Sequence, residues 1–241
     1  ENMKKCSAAL LITALLLSLC SCSTFKDTPE TDAAFAAYEE AVRQTVAHTR
    51  GSITVVTETK DTVLENTESL GVIEYSFVTD ENSRVSFERN DYTNGELVAS
   101  YYGDGAAAYQ MDLSSGEWTD VTETSGEMLS HDTNYMNTLS LFRIDHNFRY
   151  SKHFYESVAM EEAQGERVIT FTLKGSAVTD MLSYSDERGI RRNMSSQYRS
   201  YYVNEAGDLY KIVVDTLQDI TYKGSSGTLS NVITVNLDYE T

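Results

Sequence analysis

Side chains able to do chemistry are common in this 241-residue chain, but few are spaced to act together. The four histidines, His48, His131, His146 and His153, show neither HExxH nor HxH spacing, the patterns that place two imidazoles on one metal. Asp145-His146, and His153 with Glu156, come nearest to a ligand set, and no metal is expected. No serine sits in the G-x-S-x-G elbow that exposes a nucleophile on a sharp turn. Gly103-Asp104-Gly105 lacks the helix start that a phosphate cradle needs, so it reads as a hairpin turn. Pairs such as Glu39-Glu40 and Glu161-Glu162 are expected in any acidic chain, and none stands out for the facing carboxylates of a glycosidase. No catalytic residue or cofactor is expected, and the chain reads as a non-enzyme. An unrecognised hydrolase is the remaining chemical reading.

Charge narrows the partners. Acidic residues number 37 against 19 basic ones, a net charge of −18. Nucleic-acid binding needs concentrated Lys and Arg, so no nucleic acid is expected. The same charge repels anionic lipid surfaces, so residence at a membrane requires an anchor.

The cysteines supply one. Leu19-Cys20-Ser21-Cys22 fits a lipobox, with small Ser21 just before the modified residue. Cys22 is the expected lipidation site, and Cys20, preceded by bulky Leu19, is the alternative. Upstream, Lys4 and Lys5 follow Met3, and an apolar run from Ala8 to Leu19 is broken only by Thr13 and Ser18. That run is short of the roughly 20 residues of a membrane-crossing helix, and it suits the core of a signal peptide. Glu1 and Asn2 are read as a remnant ahead of the start. A cut before Cys22 leaves no other cysteine, hence no internal disulfide and no thiol nucleophile. Two acyl chains hold a protein firmly where one does not, so a diacylglycerol on Cys22 predicts stable attachment to the outer face of the cell membrane.

Residues 1–21 are thus read as signal peptide, 22–31 as lipidated cysteine and tether, and 32–241 as one domain. A helix capped by Thr31 or Asp32 is expected to run to Arg50-Gly51, with Ala33, Phe35, Ala36, Ala41, Val42 and Val46 as its apolar members. The period then changes to two. Ile53 to Thr57, Ile73 to Phe77, Val85 to Phe87 and Leu97 to Tyr101 read as strands, followed by Ala107 to Met111 and Trp118 to Val121. Met128 to Ile144 and Ser176 to Tyr184 read as short helices, and Asp186 to Ser196, with Arg188, Arg191 and Arg192, as a loop. Strands are expected again at His153 to Met160, Val168 to Leu173, Tyr198 to Val203, Leu209 to Ile220 and Thr228 to Tyr239, with a turn at Gly224 to Gly227. The fold class is α+β: an antiparallel sheet of about ten or eleven strands, a size that tends to curl, as a half-barrel with helices covering its concave face.

That order of parts resembles the LolA/LppX-like lipoprotein superfamily, and especially its uncharacterised lipoproteins in Gram-positive bacteria. The matching pieces are the lipobox before a single amphipathic helix, the meander Tyr101-Tyr102-Gly103-Asp104-Gly105, Tyr109, Gly116-Glu117-Trp118, and the late hairpin from Tyr202 to Lys211. The resemblance implies an open β half-barrel with an apolar cavity for a lipid or an acylated molecule, and it transfers no functional residue. Strand parity nominates Ile73, Tyr75, Phe77, Phe87, Tyr109, Trp118, Phe171 and Val213 as cavity lining. The 16 tyrosines suit such a cavity, since the ring is apolar and its tip polar, and they equally suit a plain pleated sheet. A surface interaction or sensor module is the alternative, with an envelope protein as partner and the arginine-bearing 186–196 segment as its contact.

Overall fold

The computed structural model describes residues 28–63, 68–129, 155–173, 184–185 and 189–239. Cys20 and Cys22 lie outside these residues, as do the expected helices over 128–144 beyond Leu129 and over 176–184 before Tyr184.

Helix α1 spans Pro29–Thr45. It starts earlier than the sequence suggested because Thr28, not Thr31 or Asp32, is the cap. Thr28 Oγ1 accepts from the Thr31 amide at 3.3 Å, and Thr31 Oγ1 accepts from the Thr28 amide at 3.0 Å. This reciprocal pair satisfies two otherwise orphaned donors, and Pro29 occupies the first turn, where its missing N–H is harmless. The buried positions are Ala34, Tyr38, Ala41 and Thr45, spaced for one helical stripe. Ala33 and Ala36, expected inside, are exposed. The helix ends at Val46 rather than at Gly51. Gly51 belongs to a strand, where an added Cβ would lie 2.6 Å from the Asp238 carbonyl oxygen.

Among the described residues twelve strands follow: β1 (Arg50–Asp61), β2 (Glu68–Thr79), β3 (Val85–Thr93), β4 (Glu96–Asp104), β5 (Ala108–Asp112), β6 (Glu117–Asp120), β7 (Tyr155–Ala163), β8 (Glu166–Leu173), β9 (Tyr184–Ser185), β10 (Arg191–Val203), β11 (Leu209–Tyr222) and β12 (Ser225–Asp238). A four-residue helix α2 (Thr122–Ser125) and a 3-10 turn at Gly126–Leu129 follow β6. The strands form one open antiparallel sheet in the order β6-β5-β4-β3-β2-β1-β12-β11-β10-β8-β7, with β9 beside β10. Two meanders are therefore joined by their outermost strands in sequence, β1 and β12, which pair from Ser52↔Asp238 to Asp61↔Leu229. Three hairpins turn on two residues of positive φ: Asn94-Gly95, Gln164-Gly165 and Lys223-Gly224. That conformation matches the twist of the flanking strands. The turn expected at Gly224 to Gly227 thus closes earlier, and Gly227 lies within β12.

The segment read as a polar loop at 186–196 is strand from Arg191 onward. Arg191, Arg192 and Asn193 pair with Thr221, Ile220 and Asp219 of β11. Long-range pairing with β11 overrides the local polarity. Among the described residues, no helix is long and apolar enough to cross a membrane.

Candidate functional site

The inner face of the sheet is the one that α1 covers. Alternation and register define it across the strands. In β1 it carries Ile53 and Val55; in β2, Phe77, Tyr75 and Ile73; in β12, Leu237 and Val235; in β11, Ile212 and Val214; in β10, Tyr201 and Arg199.

Five of the eight nominated residues lie on this face. Tyr75, Phe77, Phe87 and Phe171 are buried in the core, and Ile73 is half-buried against it. Phe171 packs edge-on to Phe35 and Tyr38 of α1, both at 5.3 Å between ring centroids. Tyr75 stacks near Phe77 at 5.7 Å. These rings fill space in the packed interior. The other three nominees are corrections. Tyr109 pairs with Tyr102, and Trp118 with Met111, on the outer face, while Ala108 is the β5 residue that pairs with inner Gly103. Asp104 sets that phase: its Oδ1 accepts from the Ala106 and Ala107 amides, both at 2.9 Å, so the turn delivers Ala108 inward. Val213 pairs with Thr234 on the outer face, between inward Ile212 and Val214. Three apolar residues in a row give parity nothing to read.

Sequence reasoning missed a polar strip on the same inner face. Past the start of α1, Gln197, Thr216 and Asn231 stand side by side on β10, β11 and β12. Gln197 Nε2 donates to Thr216 Oγ1 at 3.1 Å, and Arg199 Nε donates to Gln197 Oε1 at 2.9 Å. Arg199 is only 1% exposed. Burial lowers its pKa to about 10, against an opposing electrostatic contribution from Tyr38. Asn231 Oδ1, Gln218 Oε1 and the Tyr201 hydroxyl are buried with no hydrogen-bond partner among the described residues. Part of the signal was present in the sequence: Arg199 shares parity with Tyr201 and Val203 in the run read as strand from Tyr198, and Gln197 stands just ahead of that run at the same parity.

The histidine described here has a structural setting. His48 Nε2 lies 2.8 Å from Asp208 Oδ1, and its ring stacks on Tyr239 at 4.1 Å. Close by, Thr45 Oγ1 accepts from the Leu209 amide at 2.8 Å, tying the end of α1 to the β10–β11 turn.

No protein-family model matches the sequence. A search of curated proteins returns no match. Among solved structures, the chain is similar to a LolA superfamily protein from Nitrosomonas europaea, at 10% identity over 86% of this chain and 94% of that one, with a TM-score of 0.28. It is also similar to a DUF1329 family protein from Desulfovibrio piger, at 12% identity over 88% and 94%, with a TM-score of 0.31. A third similarity is to lipovitellin, solved for its lipid–protein interactions, at 8% identity over 80% of this chain and 25% of that one, with a TM-score of 0.35. At these scores the superpositions are loose. The class, an open α+β half-barrel with an N-terminal helix on its inner face, rests on the chain's own strand order and register.

Proposed function

We propose that the chain is an extracytoplasmic lipoprotein, cut before Cys22 and anchored by a diacylglycerol there, whose 32–241 domain binds a lipid or acylated molecule without catalysing a reaction. The supporting observation is the amphipathic inner face. Apolar rows run along most of it, and one polar strip holds Arg199, Gln197 and Thr216 beside the orphaned acceptors of Asn231 and Gln218. A buried acceptor without a donor costs about 1–3 kcal/mol, and such atoms in a native fold call for a partner. An amphiphile whose head carries hydroxyl or amide donors meets that demand, while its chain lies on the apolar rows.

The test is mass spectrometry of organic extracts from purified protein. An amphiphile at near one equivalent is expected, much reduced in Gln218→Leu and Asn231→Leu. Extracts empty of lipid, with both variants as stable as wild type, refute the reading. The anchor is tested separately: Cys22→Ala should leave the membrane fraction, and retention there refutes the lipidation.

A further inference from the structure

The outer face carries a second hollow that the lipid reading does not use. It occupies about 570 Å³ over β3–β6 and is lined chiefly by Glu88, Asn90, Ser100, Tyr102, Tyr109 and Trp118. That is the size of a small-molecule site. Register builds it. Glu88, Tyr102 and Tyr109 form one cross-strand row, and Asn90 pairs with Ser100 in the next. The short pair makes the floor between taller rings. Ser100 Oγ donates to Asn90 Oδ1 at 2.7 Å, so the floor's polar groups answer one another.

The walls meet as a corner. Tyr102 and Tyr109 lie nearly parallel, at 22° and 6.1 Å, whereas Trp118 stands at 67° to Tyr102 at 6.3 Å. A flat sugar ring favours a flat platform. A compact, roughly spherical group fits a corner, because it meets two ring faces at once. Aromatic faces carry negative quadrupole potential and attract a cation within about 6 Å of the ring centroid. Among the described residues of the lining, Glu88 is the charged one and adds a carboxylate beside the rings, on a chain of net charge −18. Arg50 borders the adjoining hollow together with Glu88.

We propose that this outer hollow binds a small organic cation, a substituted ammonium group free in solution, held by the Tyr102 and Trp118 faces and by the Glu88 carboxylate. The site lies on the opposite face from the polar strip of β10–β12, so it stands or falls independently of lipid binding.

Trp118 is the only tryptophan of the chain, and its emission reports on the hollow directly. The full chain in non-ionic detergent is titrated with tetramethylammonium chloride and with choline, against sodium chloride. Parallel titrations use 3,3-dimethyl-1-butanol, the uncharged isostere of choline, and also glucose and glycerophosphocholine. A saturable change is expected with the two cations only. By calorimetry, Glu88→Gln should weaken choline about fivefold, the effect of one close charge in water. Tyr102→Ala should weaken it about tenfold or more, the effect of a lost cation–π face. Both variants should keep the wild-type circular dichroism spectrum. An equal response to the uncharged isostere, or a response to glucose alone, overturns the assignment of a cation. Tighter binding of glycerophosphocholine than of choline overturns the assignment to a free ammonium compound rather than a lipid headgroup. No response to any probe overturns the site.

Discussion

The two flanks of the sheet gather their main aromatic cluster on different faces. On the β7–β8–β10–β11 flank the main ring cluster points inward beneath α1, while Tyr198 and Tyr202 face out. Phe171 there contacts Phe35, Tyr38, Tyr155 and Tyr201 at centroid distances between 5.2 and 5.6 Å. On the β3–β6 flank Phe87 stays inward, the inner positions Gly103 and Ala108 are small, and the rings of Tyr102, Tyr109 and Trp118 gather on the outer face, with Tyr102 40% and Trp118 45% exposed. Residue type does not distinguish the flanks, since tyrosine serves both. Register chooses the face, and a covering helix chooses what is buried. The first flank should therefore behave as structural core and the second as a surface available to a ligand.

The hardest test of that contrast is Phe171→Ala. It empties the centre of a five-ring cluster and should cost about 3–5 kcal/mol, transfer and cavity together. Urea unfolding followed by circular dichroism measures it. A loss below about 1 kcal/mol would mean that α1 is only loosely seated and the flank is not core. Thr45→Val probes the same seating from the other end of α1. It keeps the shape but strips the Leu209 amide of its acceptor in a buried place, for a loss of about 1–3 kcal/mol.

Gly103→Ala asks whether the second flank has an inner core of its own. A Cβ there would overlap the Phe87 ring and lie 3.0 Å from Leu129 Cδ2. Overpacking of this kind costs about 1–3 kcal/mol. A neutral outcome would show that Phe87 moves aside freely and that the inner side of β3–β4 is open.

The contrast was only half legible in the sequence. Alternation found most of the strands, and the glycine turns found the meander, because both signals are local. Tyr75, Phe77 and Phe87 could be assigned inward because polar neighbours such as Glu74, Ser76 and Glu88 mark the other face. Trp118 and Tyr109 could not. Their face depends on how Asp104 closes a turn, and a one-residue change there reverses every side chain beyond it. Val213 failed for lack of any polar neighbour. Arg191 and Arg192 failed for the opposite reason, since their polarity hid a strand whose partner lies far along the chain. The outer hollow needed four strands in register before its rings could be seen to meet.

Arg199 sharpens the contrast within the first flank, because a charge sits where rings predominate. Its pKa falls from the ordinary guanidinium range to about 10, an unfavourable contribution of about 3 kcal/mol to folding at neutral pH. Arg199→Met relieves that cost but takes the donor from Gln197 Oε1, a loss of about 1–3 kcal/mol. The opposing effects should leave stability within about 2 kcal/mol of wild type, in the range where buried charges are exchanged for apolar groups. The sign with pH follows from the lowered value. Wild type carries the penalty fully below pH 10 and sheds it as pH rises through about 10 toward the ordinary guanidinium range, so any advantage of the variant should shrink above pH 10. Paired urea titrations across that range test it. A large destabilisation that does not change with pH would mean that the guanidinium makes a structural bridge, and a head-group role would lose its main cation.

The smallest effect should come from Trp118→Ala. Every residue of β6 is exposed, and Trp118 meets Tyr102 edge-on at the rim of the sheet. Removing an exposed ring at an edge strand leaves no cavity for the structure to close, so the change should stay within about 0.5 kcal/mol. Circular dichroism through urea unfolding reads it without the lost fluorophore. Calorimetry with tetramethylammonium should at the same time show binding weakened about tenfold. Stability untouched and binding impaired is the pattern of a ring held outward for a ligand. A loss comparable to that of Phe171→Ala would make Trp118 a structural residue, and the two flanks would then differ in geometry but not in use.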